Sequence, residues 1–264
     1  MIRKHLSSAV LAGALLSSGF AQPASAMTAS IEGIPVGEGL SFQTITLWLG
    51  AGAPGGGFAT GSEALSALGR VEFIGGAGAQ TLWRASPTSP ELTLVLGGFT
   101  AGATSTLAGE VKTTVFEGGS LRVYADPARN TDATASASVK PAAFADGALW
   151  LDLRARASNA PGASPSTLLA TNFGPAGANP AFISASASFD VVGGAAAALF
   201  DTNQFGGGDL MLNLAVSLQP GTPGFDYRGA AQLTASTVVP LPASVLLLGS
   251  ALASVAAFRR REVG

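Results

Sequence analysis

Through the middle of this 264-residue chain, apolar and polar residues alternate with a period of two. Leu210, Leu212, Leu214, Val216 and Leu218 are interleaved with Asn213, Ser217 and their polar flanks Asp209 and Gln219. Leu149, Leu151, Leu153 and Ala155 alternate with Trp150, Asp152, Arg154 and Arg156. Ile183, Ala185, Ala187, Phe189 and Val191 alternate with Ser184, Ser186, Ser188 and Asp190. In an extended strand successive side chains point to opposite faces, so each run predicts a strand with one face in a core. Further strands are expected over 41–50, 70–75, 80–85, 91–99, 109–117, 120–126 and 226–236. Glycine clusters at 75–76, 118–119 and 206–208 supply turn signals between them. The 109–117 and 120–126 runs read as a hairpin closed by Gly118 and Gly119. The one helix expected is short, near 62–68, and the Ala, Ser, Pro and Gly-rich stretch 157–181 reads as a long loop, as does 127–147 more weakly. About ten strands with so little helix predict an all-β fold, a single antiparallel β-sandwich or jelly-roll-like domain.

Both ends depart from this pattern. Arg3 and Lys4 precede an apolar stretch over 6–20, followed by the small-x-small site Ala24-Ser25-Ala26. These parts make residues 1–26 a secretory signal peptide, cleaved after Ala26. The body is then 27–237, and 238–264 forms a tail. The tail opens on Val239, Pro240, Leu241, Pro242 and Ala243, and no charge occurs from 241 to 258. Those 18 residues lie near the lower limit for a membrane-spanning helix. Proline cannot sit inside a helix, so the helix is expected to start near Ala243. Arg259, Arg260 and Arg261 follow, and by the positive-inside rule they stay in the cytoplasm. The charged N-terminus obeys the same rule, so the body is expected outside the inner membrane.

The Val-Pro-Leu-Pro-Ala box, the apolar helix and the arginine cluster together resemble the VPLPA variant of the PEP-CTERM sorting signal. The resemblance is confined to this C-terminal signal. It implies an exported protein of a Gram-negative bacterium and an exosortase-type membrane transpeptidase as partner, acting at the box. It also implies an inner-membrane intermediate, a cell-surface or extracellular destination, and an association with exopolysaccharide and biofilm matrix.

Composition narrows what the body can do. There is no cysteine, and the single histidine, His5, lies in the signal peptide. The mature chain therefore holds no Ser-His-Asp triad, no Cys-His pair, no His-based zinc site and no thiolate ligand. Setting aside Arg3, Lys4, Arg259, Arg260, Arg261 and Glu262 leaves 9 cations and 15 anions. That acidic balance disfavours nucleic acid as a partner.

Four constellations remain. Gly50, Gly52 and Gly55 fit G-x-G-x-x-G, but Gly56 and Gly57 follow where a dinucleotide fold needs a helix N-terminus, so no cofactor is expected there. Asp201, Asn203, Gly206 and Asp209 fall at positions 1, 3, 6 and 9 of a calcium loop, while Phe205 and Leu212 occupy two other ligand positions. The preferred reading is a Gly-rich turn whose side chains bond their own backbone, with a looser calcium site as the alternative. Trp48, Tyr124 and Trp150 fall on the polar faces of their strands, Trp150 beside Arg154. Rings next to Arg and Asp suit glycan recognition, stacking on sugar C–H faces while the charges bond hydroxyls. Finally, Glu117, Asp146, Asp152 and Asp190 are available for carboxylate chemistry, but no spacing singles out a pair. The expectation is a non-enzymatic surface or matrix protein of structural or interaction type. A carbohydrate-binding module is the alternative, and a carboxylate-dependent glycan hydrolase ranks last.

Overall fold

The computed structural model describes residues 29–36, 41–51, 64–76, 80–106, 111–131, 141–157, 168–173, 182–205, 207–218 and 227–235. The strands are β1 (Ala29–Ile31), β2 (Ile34–Val36), β3 (Ser41–Ala51), β4 (Ala64–Gly75), β5 (Thr81–Arg84) and β6 (Glu91–Thr106). They continue with β7 (Lys112–Asp126), β8 (Ala148–Ala155), β9 (Leu168–Phe173), β10 (Phe182–Gly193), β11 (Leu210–Leu218) and β12 (Tyr227–Ala235). One α-helical turn, α1 (Ala197–Phe200), and a 3-10 turn at Pro141–Phe144 complete the described elements. The all-β, antiparallel expectation holds.

Beyond a small β1–β2 hairpin, the strands form one sheet in the order β11-β12-β3-β4-β6-β7-β8-β10, and β10 pairs in turn with β11. The sheet therefore closes on itself. Ring neighbours are consecutive in the chain except at β4–β6, which passes over β5, at β8–β10, which passes over β9, and at the β12–β3 seam that joins last to first. A jelly roll would instead cross between sheets, and the described strands show no such crossing. Two positions in the ring are shared. β8 and β9 run end to end between β7 and β10, with Leu121 opposite Leu153 and Val115 opposite Leu169. β5 and β6 likewise both border β4, through Ile74–Trp83 and Val71–Leu92. The stretch 157–181, expected as loop, thus contributes β9 to the wall.

The interior is one apolar cluster, including Leu92, Leu94, Leu96, Leu151, Leu153, Leu212, Leu214 and Leu233. Period-two alternation supplies it directly: β11 reads buried and exposed in turn from Leu210 to Val216. Burying such side chains stabilises by about 1.5–3 kcal/mol each. That is the main drive to fold in a chain without disulfides.

Two local expectations fail for identifiable reasons. Lys112–Asp126 is one strand, β7, and not the two arms of the hairpin expected over 109–126. Gly118 (φ 71°) and Gly119 (φ 95°) bend it without reversing it, facing Gly98 (φ 78°) in β6. A Cβ on Gly119 would lie 2.5 Å from the Phe99 ring, so the glycine lets that buried ring sit against the backbone. Within the helix expected at 62–68, residues 64–68 are instead the start of β4, where Leu65, Ala67 and Leu68 are buried. Pairing with β3 and β6 satisfies the backbone there and overrides local propensity.

Candidate functional site

The glycan-binding constellation does not assemble as the alternation predicted. Trp150 is fully buried. The cause is a β-bulge: Val123 faces Leu151 and Tyr124 faces Leu149, which leaves Trp150 as the extra residue of β8. The bulge flips the pleat, so Leu149 is exposed and Trp150 turns into the core. There its ring packs edge-on against Phe42 at 5.6 Å and Phe200 at 5.4 Å. Its Nε1–H donates to the Ile31 carbonyl at 3.2 Å, tying the β1–β2 hairpin to the end of the sheet. Trp150 is thus a core residue, and its assignment to a surface patch is corrected.

Of the other members, Tyr124 is half-buried in β7 and Arg154 is exposed in β8. Arg154 lies opposite Ser120, four residues along β7 from Tyr124, a separation of about 13 Å along the strand. The backbone of Trp48 pairs with Leu68 and Arg228 on the other side of the ring, and its side chain lies outside the described residues. What stands beside Tyr124 is Arg122, whose Nε–H donates to Asp152 Oδ1 at 3.3 Å. The Asp152 carboxylate raises the pKa of that guanidinium.

The 201–209 loop has a definite internal logic. Asp209 is buried, and its Oδ1 accepts the backbone N–H of Thr202 (2.6 Å) and of Asn203 (2.5 Å), while Oδ2 accepts that of Val191 (2.8 Å). Three backbone donors thus converge on one carboxylate, which closes the loop onto β10. Asn203 adopts φ 55°, a conformation asparagine tolerates better than most residues. Phe205 and Gly208 exchange both backbone hydrogen bonds around a tight turn. Arg156 clamps that turn from outside, donating to the Gly207 carbonyl at 2.5 Å and to Asp190 at 3.1 Å. Asp201 and Asn203 are exposed, and Gly206 lies outside the described residues. Among the described residues no group of three or more acidic or histidine side chains is placed to hold a metal ion.

The densest set of titratable groups is one that the sequence motifs do not mark. On the outer side of β4, β6 and β7, Glu91 lies directly opposite Asp126, and both are buried. Arg70 binds Glu72 at 2.6 Å and approaches Glu91 at 3.6 Å. Thr131 covers the pair, its hydroxyl and its backbone N–H both donating to the Glu91 carboxylate. Asp126 Oδ1 accepts the Ala128 N–H at 2.7 Å, whereas its Oδ2 is buried without a hydrogen-bond partner. Thr93 next along β6 donates to the Phe144 carbonyl at 2.8 Å, which fastens the 3-10 turn over the same face. Removal from water raises the Glu91 pKa, and the Asp126 charge adds to that, against the hydrogen bond from Thr131 and the charge of Arg70. So enclosed, the pair fastens the 127–131 segment onto the sheet through Ala128 and Thr131. The signal for it lay at the strand ends: Glu91 opens one predicted strand and Asp126 closes another. Only their antiparallel pairing sets them face to face.

The remaining carboxylates singled out from sequence are dispersed. Asp152 pairs with Arg122, Asp190 with Arg156, and Asp146 accepts from Asn130 at 2.7 Å. Glu117 is exposed at the β7 bend. The signal-peptide site Ala24 and Ala26, the box Val239, Pro240, Leu241, Pro242 and Ala243, the cluster Arg259, Arg260 and Arg261, and the glycine motif beyond Ala51 lie outside the described residues. Among the described residues no helix is long and apolar enough to cross a membrane. Comparison with protein-family models, with curated proteins and with solved structures finds no match to this chain.

Proposed function

We propose that this chain is an exported structural or interaction protein of the bacterial cell surface or exopolysaccharide matrix, sorted through its C-terminal tail. The observation that carries the reading is the ordered tail itself. A Val-Pro-Leu-Pro-Ala box at 239–243 directly abuts an uncharged apolar run that ends in Arg259, Arg260 and Arg261. The resemblance of the tail to that sorting signal implies an exosortase-type transpeptidase as the partner, acting at the box while 244–258 holds the chain in the inner membrane. The body fits a scaffold role: one antiparallel sheet that closes around a single apolar core. The glycan-module alternative is weakened by the burial of Trp150, which removes one of its three rings.

The test is the intact mass of the native protein from membrane and medium fractions. The reading expects a species beginning at Met27 and ending between Val239 and Ala243. A species still carrying 244–264 in every fraction refutes processing and removes the link to the matrix.

A further inference from the structure

The closed sheet has two ends, and the register assigns the strand termini to them, apart from Ala155 and Leu168, where β8 and β9 meet midway. At one end, Thr234 faces Ser41, Ser41 faces Gly75, Glu91 faces Asp126, Ala125 faces Ala148, and Leu210 faces Ala235. At the other, Ala51 faces Leu65, Thr106 faces Lys112, Phe182 faces both Phe173 and Ser217, and Leu218 faces Tyr227. The chain enters the ring at Ser41 and leaves it at Ala235, which lie at the same end. The reason is parity: an even number of antiparallel passes returns a chain to the end where it started. The β1–β2 hairpin sits at that end too, with Ile34 buried and the Ile31 carbonyl holding the Trp150 indole.

The body's exit point is close to the proposed anchor. Ala235 precedes Val239 by four residues and Ala243 by eight. Fully extended, eight residues span at most about 29 Å. Along β6 the distance from Glu91 to Thr106 is about 50 Å, or about 38 Å of height once strands tilt as they do in closed sheets. The tether is therefore shorter than the body is tall. We propose that the end bearing Ser41, Gly75, Asp126 and Ala235 faces the inner-membrane surface before the tail is cut. The opposite end, which bears Ala51, Thr106, Phe173 and Leu218, then points away from the lipid. This assignment rests on the tail acting as a membrane anchor. It adds which face of the body meets the bilayer and which is free for other partners. The N-terminal side agrees with it, since Ala29 lies three residues after the signal-peptide site at Ala26.

The absence of cysteine allows a direct test. Gln80→Cys places a thiol at the membrane-proximal end and Ser105→Cys one at the distal end, both at exposed positions. Thr88→Cys and Ala103→Cys form a second exposed pair, should either of the first misfold. The chain with its tail is labelled with a fluorescent donor and reconstituted in phosphatidylethanolamine/phosphatidylglycerol vesicles carrying an acceptor on the lipid headgroup. In protein that floats with the vesicles, transfer is expected to be severalfold stronger from position 80 than from 105. Equal or reversed transfer in floating protein overturns the orientation and leaves the anchor reading intact. Protein that does not float refutes the anchor reading itself, and the orientation with it.

Discussion

Replacing Trp150 by alanine tests whether this residue serves the core or a ligand surface. The side chain is fully buried, makes edge contacts with Phe42 and Phe200, and donates its indole hydrogen to Ile31. Truncating a buried tryptophan typically costs about 3–5 kcal/mol. Each aromatic edge contact is worth about 0.5–1.5 kcal/mol beyond its area, and the hydrogen bond about 1 kcal/mol. These contributions lie within the truncation figure and are not added to it. In a body of this size, 1 kcal/mol corresponds to about 2–4 °C in Tm, so the variant should melt about 6–20 °C lower. Trp150→Phe separates the parts. It keeps ring contacts with Phe42 and Phe200 but orphans the Ile31 carbonyl, and should lose about 1–3 kcal/mol. The assay is urea unfolding followed by far-UV circular dichroism, with the midpoint and slope compared across the three proteins. A Trp150→Ala midpoint indistinguishable from the parent's would refute the argument and return Trp150 to the surface.

Two further perturbations address the charged groups. Because burial raises the Glu91 pKa above 4.5, the folded state holds that proton more tightly than the unfolded chain does. Its contribution to stability is complete below pH 4.5 and is lost as pH rises through the folded-state value. Glu91→Gln cannot titrate, so the stability difference between variant and parent should shift in the variant's favour as pH rises from 4.5 toward neutrality; a pH-independent difference in thermal melts would contradict this. Asp209→Ala removes the acceptor for three backbone donors and should destabilise by about 3 kcal/mol or more, with hydrogen exchange accelerated at Thr202, Asn203 and Val191. Calcium is expected to leave the parent's melting temperature unchanged, because those donors already converge on both Asp209 oxygens; a calcium-dependent rise would overturn that account.

Much of the wall is legible in the order of residues. Alternation locates β3, β8, β10, β11 and β12 nearly to the residue, because a half-buried strand must repeat every two positions whatever its neighbours are. The patterns at both ends, from which export and sorting are proposed, are equally local, since charge, an uncharged run and a short box lie contiguous in the chain. What local pattern does not reveal is decided by pairing. Glycines 118 and 119 look like a turn in isolation, yet facing Gly98 across a ladder they are a bend that admits Phe99. Trp150 obeys the polar alternation of β8 until one extra residue against β7 reverses the pleat and buries it. Glu91 and Asp126 are 35 positions apart, and nothing in either segment announces the other. The sequence alone determined most of the strands and the alternation along them, because those follow from local periodicity. Tertiary structure alone decided that the sheet closes into a ring, that two acids share a buried site, and that the chain leaves at the end where it entered. Each of these depends on which backbones hydrogen-bond across long sequence separations, a choice made by the joint packing of all the strands at once.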